Sequence, residues 1–226
     1  MNTMSKRNSS KSPLQVSPKP TISKSARTRA AILNAALEFV WSHPFRDMTI
    51  TSLMASTELG RSVFYKYFTD LHEVMETLLE MLQGGIVDAT EPWYAGVGDP
   101  TALLQEGLAG LVQVCYERGP FLRAMTDAAA TDERFEAIWN RFMENFDNTV
   151  AERIEADQAQ GLIADFDARP VAIALNRLNA GTLIQAFGQH PRSQPEPVLQ
   201  SLARIWISTL YGAEQPRNKS STLVRT

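Results

Sequence analysis

An all-α chain, with a small amino-terminal domain ahead of a larger helical body, is the fold class that these 226 residues predict. Three observations carry it. Apolar residues recur at three- and four-residue spacing through most of the chain, the period of one face of a helix. No stretch shows a convincing strand pattern, and no segment repeats another. Charge is divided along the chain: residues 1–68 hold ten Lys/Arg against three Asp/Glu, whereas the whole chain holds 22 against 25. A basic head on an acidic body is the footprint of a nucleic-acid-binding end whose body avoids phosphates.

Residues 1–24 contain six Ser, three Pro and five Lys/Arg with no acid. They cannot bury enough apolar surface to offset ordering, so a disordered basic tail is expected, within reach of phosphates or a minor groove. Residues 25–42 read as a first helix through Ile32, Ala36, Phe39 and Val40, stopped by Pro44. Ser25, Arg27, Thr28 and Arg29 stand at its start, where phosphates are attracted.

Residues 49–68 read as two short helices around a tight turn. Thr49 is an N-cap candidate with Ile50 and Leu53 on one face behind it, while Phe64 and Phe68 form the inner face of the second helix. Arg61, Ser62, Val63, Tyr65, Lys66 and Tyr67 are then left pointing outward. Such a face suits a DNA major groove: Arg61, Ser62 and Val63 are expected at base edges, and Thr49, Tyr65, Lys66 and Tyr67 at phosphates.

The sequence Tyr65-Lys66-Tyr67-Phe68 closing this segment resembles the helix-turn-helix of TetR-family transcriptional regulators. The resemblance implies a DNA-binding domain over residues 25–69, a helical ligand-binding and dimerisation domain over 70–213, and a flexible tail over 214–226. It also implies a homodimer, a double-stranded DNA operator and repression released by a small apolar effector. Three positions depart from the family pattern. The usual Ala-Gly-Val-Ser turn is Thr57-Glu58-Leu59-Gly60, the small residue after the first aliphatic anchor is Met54, and the lysine that opens the fourth helix is Leu71.

The body follows the same logic of stripes and stops. A helix from Asp70 buries Leu71, Val74, Leu78 and Leu82 and is expected to kink or end near Gly84-Gly85, because adjacent glycines disfavour a helix interior. Residues 92–100 read as a Gly/Pro-rich connection. Residues 101–118 form a helix ended by Gly119-Pro120, and residues 121–130 a short one. A long helix capped by Asp132 then carries Phe135, Trp139, Phe142 and Phe146 as one aromatic stripe, with Ile138 and Met143 beside it. Pro170 opens a helix to about Gln189, a proline-rich loop follows, and residues 196–211 form the last helix before Gly212. The last two helices are apolar over wide faces, as an isologous four-helix interface with a second copy requires.

Catalytic chemistry finds no support. His43, His72 and His190 are scattered, no metal-ligand spacing occurs, and no glycine-rich phosphate loop follows a strand, so neither metal nor cofactor is expected. One cysteine, Cys115, excludes an intrachain disulfide and fits a reducing cytosol, and no 18-residue apolar run suggests a membrane span. A cytoplasmic protein is expected. Binding is better supported: Trp139, Phe142, Met143, Phe146 and Phe187 are candidates for an apolar cavity between helices. Asn176 and Asn179, at i and i+3 on an apolar face, need partners for their amides. Leu175-Asn176-x-x-Asn179 with Ile205-Trp206 and Leu210-Tyr211-Gly212 is similar to the EthR-like branch of the family, which implies that Asn176, Asn179 and Trp206 line a ligand tunnel. Two alternatives stay open: a helical small-molecule-binding protein or enzyme with a vestigial helix-turn-helix, and a DNA-binding protein with a solid body that needs no ligand.

Overall fold

The computed structural model describes residues 23–212, so the expected tails lie outside it except for Ser23 and Lys24, which open the first helix. Among the described residues there are eight α-helices and one short 3-10 turn, with no strand. Helix α1 (Lys24–Ser42) is capped by Ser23, whose hydroxyl accepts from the Ala26 amide, and it buries Ile32, Leu33, Ala35, Ala36 and Val40. The 3-10 turn Phe45–Asp47 leads to α2 (Ile50–Ala55), and α3 (Arg61–Phe64) follows. These three helices and the start of α4 close around Leu53, Phe64 and Phe68, all essentially buried.

Helix α4 spans Leu71–Ala95, α5 Pro100–Ala129, α6 Glu133–Ala159, α7 Ala168–Phe187 and α8 Pro195–Leu210. Two expected breaks are absent. Helix α4 runs through Gly84-Gly85 and Pro92 to a left-handed C-cap at Gly96 (φ 70°), because its second half buries Ile86, Thr90 and Trp93 against α5. The expected connection at residues 92–100 therefore shrinks to residues 96–99. Helix α5 likewise runs through Gly119-Pro120. Gly119 lies so close to α7 that a Cβ would come within 2.2 Å of the Phe187 carbonyl oxygen, which only glycine permits. Pro120 lacks the amide that would bond the Tyr116 carbonyl. Arg192, in the loop between α7 and α8, donates to that carbonyl instead at 2.6 Å.

One apolar core passes from the amino-terminal helices through α4, α5 and α6 to Leu183, Phe187 and Leu202. A second lies at the far end of the body around Trp93, Ile154, Leu175, Trp206 and Leu210. The aromatic stripe on α6 is accordingly divided. Phe135 meets Phe45 edge to face at 4.9 Å, beneath the amino-terminal helices, while Trp139, Phe142 and Phe146 stack along the middle of the body.

Candidate DNA-reading face and ligand cavity

Thr49 begins the head's reading unit. Its hydroxyl accepts from the Ser52 amide at 3.0 Å while Ser52 Oγ accepts from the Thr49 amide at 2.9 Å, a reciprocal capping box. Thr49 thus caps the helix start, which fixes its hydroxyl at the position where the sequence expects a phosphate contact. At the turn, Glu58 takes the left-handed conformation (φ 57°), whereas Gly60 is extended and caps α3 with no side-chain bond. The glycine therefore sits two residues beyond the place where its freedom would be used.

Helix α3 is one turn long and continues as i to i+3 turns: Lys66 N donates to Val63 O and Tyr67 N to Phe64 O. Arg61, Ser62, Tyr65 and Lys66 are exposed. Val63 and Tyr67 are half-buried against the core of the head, so the expectation of six outward residues narrows to four with two flanking them. Arg61 folds along its own helix: Nη2 donates to the Tyr65 hydroxyl at 3.0 Å, with the guanidinium 5.7 Å from the ring centroid. Of the cations at the start of α1, Arg27 is exposed. Arg29 turns inward over Phe68 and donates to Thr77, which removes it from the phosphate face.

The first turn of α4 is tied to the first turn of α6 by crossed pairs. Asp70 caps α4 and accepts from Arg134 of α6 at 2.6 Å; Asp132 caps α6 and pairs with His72 of α4 at 2.9 Å. The His72 ring stacks on Phe135 with 4.3 Å between centroids. The hydrogen bond with His72, foremost, holds the Asp132 carboxyl below its ordinary value of 3.8. For Asp70 burial is the largest single effect and opposes, but the Glu73 amide and Arg134 together outweigh it and leave this carboxyl lowered too. This junction lies directly after Phe68, so the start of α6 is fixed to the reading unit.

Farther along α6 the body encloses a cavity of about 80 Å³ among α4, α5, α6, α7 and α8. Asn176, Asn179, Trp206, Trp139, Phe142, Met143 and Phe146 all line it. Phe187 does not: it is fully buried beside Gly119 and edge-on to Tyr116, so its expected place in the cavity is corrected to core. Thr90, Trp93 and Tyr94 of α4 and Leu108 and Cys115 of α5 also line the cavity and were missed. Their signal was the continuation of helical spacing from Ile86 through Thr90 to Trp93, past the proline. Burial pushes the Cys115 thiol and the Tyr94 phenol up to about 12, so both are neutral, and no lining residue carries a charge.

Partners within the protein orient both asparagines. Asn176 Nδ2 donates to buried Asp147 at 2.9 Å, which is also gripped by both terminal nitrogens of Arg177. Asn179 Oδ1 accepts the Trp206 indole N–H at 2.9 Å. The groups left for the cavity are then an acceptor, Asn176 Oδ1, and a donor, Asn179 Nδ2. Trp206 meets Trp93 edge to face. The Trp93 N–H donates to the Tyr211 hydroxyl, which donates to Asp157, itself paired with Arg153 in the far core.

Comparison with known proteins agrees with this arrangement. A family model described as the carboxy-terminal domain of the transcriptional regulator EthR matches residues 104–212. The chain is 26% identical over 189 residues to the helix-turn-helix regulator EthR of Mycolicibacterium smegmatis, covering 81% of this chain and 86% of that one. It is 27% identical over 186 residues to EthR of Mycobacterium tuberculosis, covering 80% and 86%. A crystal structure of a TetR-family regulator from Syntrophomonas wolfei superposes with a TM-score of 0.73 at 16% identity, over 85% of this chain and 98% of that one. The chain is a DNA-binding transcriptional regulator similar to EthR, with the fold of TetR-family regulators.

Proposed function

We propose that this regulator is a homodimeric repressor, released from a pseudo-palindromic operator when an uncharged, largely apolar small molecule enters the body. The observation that supports it best is the uncharged cavity lined by α6, the helix whose first turn is bound to the end of the reading unit. A charged guest would lose its hydration there with no counter-charge on the wall. A guest with an apolar frame and one carbonyl or amide would satisfy Asn179 Nδ2 and, if it carries an N–H or O–H, Asn176 Oδ1.

A void of about 80 Å³ is small beside usual ligand pockets, so occupancy has to displace wall side chains. Displacement is what gives a ligand a preference between conformations. Roughly 1.4 kcal/mol of preference for the non-binding state lowers operator affinity tenfold. On the DNA side, Arg61 and Ser62 are the groups for base edges and Tyr65 and Lys66 for phosphates, with Val63 and Tyr67 beside them. The dimer is assigned to the outer faces of α7 and α8, where Ile205 is 41% exposed and Gly181 leaves open space.

The test is selection of genomic fragments by the purified protein at near-physiological salt, followed by footprinting. A protected pseudo-palindrome with half-sites about 34–36 Å apart is expected. No enrichment over random DNA, even after the protein has been stripped of bound small molecules by unfolding and refolding, would defeat the reading.

A further inference from the structure

A groove of about 470 Å³ runs along the surface between α4 and α6, with Leu79, Gly84, Val87 and Phe142 along its floor and the charged Glu76, Glu80, Asp88 and Arg141 among its borders. Phe142 also lines the internal cavity. One aromatic side chain, 6% exposed, is therefore a shared wall between the surface groove and the interior. Gly84 faces it from α4, where an added Cβ would meet nothing within 4 Å.

Open space at Gly84 contrasts with the packed glycines of α5. At Gly110 a Cβ would come within 2.8 Å of Ala89, so close approach of α4 and α5 explains that glycine. Nothing approaches Gly84, and glycine is disfavoured inside a helix. Its effect is to leave the α4 side of the groove without a side chain at this position.

The ties across the body point the same way. Helices α6 and α7 are joined beside the cavity by Asp147 with Asn176 and Arg177. Helices α4 and α6 are joined at the head side of the groove by Arg141 and Glu76. On the other side of Phe142 from that ion pair, among the described residues, the bridge between α4 and α6 is an amide contact, Asn145 Nδ2 to Gln83 Oε1, at 3.5 Å. That is the outer limit of a hydrogen bond and costs little to open.

We propose that this groove is the portal through which the apolar effector reaches the cavity, with Phe142 as its gate and Gly84 as the bare sill that keeps it open. The proposal rests on the ligand-release reading and adds the route. A gate changes how fast a guest passes, while a wall residue outside the cavity leaves the bound state alone.

The experiment is stopped-flow binding of N-phenyl-1-naphthylamine, an uncharged fluorophore that brightens in apolar surroundings, to the full-length protein. Gly84→Leu plugs the groove and also favours the helix, so it folds. It is expected to slow both association and dissociation about tenfold, an added barrier of about 1.4 kcal/mol, with equilibrium affinity and probe-free operator binding unchanged. Phe142→Ala should speed both rates. Unaltered rates in Gly84→Leu would overturn the portal. If the wild-type protein does not brighten the probe at all, the ligand-release reading falls and the portal with it.

Discussion

Glu58 holds a backbone conformation that suits glycine, in the turn that aims the recognition helix. A non-glycine residue there costs roughly 1 kcal/mol, which glycine avoids. Glu58→Gly is therefore expected to stabilise the protein by about 1 kcal/mol, read as a rise in the denaturant midpoint at unchanged slope. An unchanged or lower midpoint would show that the carboxylate has a compensating role. Lys66 argues at the same scale, being exposed on the reading face with its charge free of any ion pair among the described residues. If it neutralises one phosphate, Lys66→Ala should weaken binding to all sequences alike and flatten the log-log salt slope by about 0.9. A mutant with the parental slope would remove Lys66 from the phosphate contacts. Part of this scale was legible in the sequence: Phe64 and Phe68 at i and i+4 marked the inner face correctly. The inward turn of Arg29 and the half-burial of Tyr67 were not, because they depend on Thr77 and on core residues of other helices.

Helices α4 and α5 show why local pattern misjudges an element's length. Gly84-Gly85 and Gly119-Pro120 are helix breakers by propensity, yet both helices continue, held by side chains that the local window does not contain. The partner of the freed Tyr116 carbonyl is Arg192, 76 residues downstream, whose guanidinium also lies 4.1 Å from the Tyr116 ring and 4.8 Å from the Trp41 ring of α1. Arg192→Ala is expected to destabilise the protein by about 1–3 kcal/mol, the usual cost of a polar group left without its bond. A loss below a few tenths would mean that water replaces the guanidinium. The crossed caps of α4 and α6 give a pH dependence with a definite sign. Asp70 and Asp132 are both lowered from 3.8 in the folded protein, so the stability they contribute is present above pH 3.8 and lost as pH falls through their lower folded values. Asp132→Asn keeps the cap but cannot ionise. Its thermal midpoint should fall less steeply below about pH 4 than that of the wild type. Parallel curves would show that this pair does not govern the acid limb.

At the scale of the molecule, the continuous core from Ile32 to Leu202 joins the amino-terminal helices to the helical body, so the two are not independent beads on a linker. Asn176 and Asn179 stood out in the sequence because amides on an apolar stripe need partners, and their place on the cavity, with Trp206, was what the EthR-like resemblance implied; Thr90, Trp93 and Tyr94 were hidden by the expected end of α4. What remains is symmetry. A single chain presents one short recognition helix, and specific affinity for a pseudo-palindrome requires two held at a fixed separation. The last helix carries a face that the proposed dimer can use. Leu202, Ala203, Trp206 and Leu210 serve the chain's own core, whereas Ile205 and Thr209 face outward and contribute nothing to it. A carboxylate in place of Ile205 at a two-fold interface is buried twice, once in each copy. Ile205→Glu should therefore yield a folded monomer by sedimentation, with the helical signal of the parent, and operator affinity reduced to the level of a single half-site. A mutant that stays dimeric would move the interface off the exposed face of α8. A mutant that is monomeric yet binds the full operator with parental affinity would instead show that recognition does not need the pair.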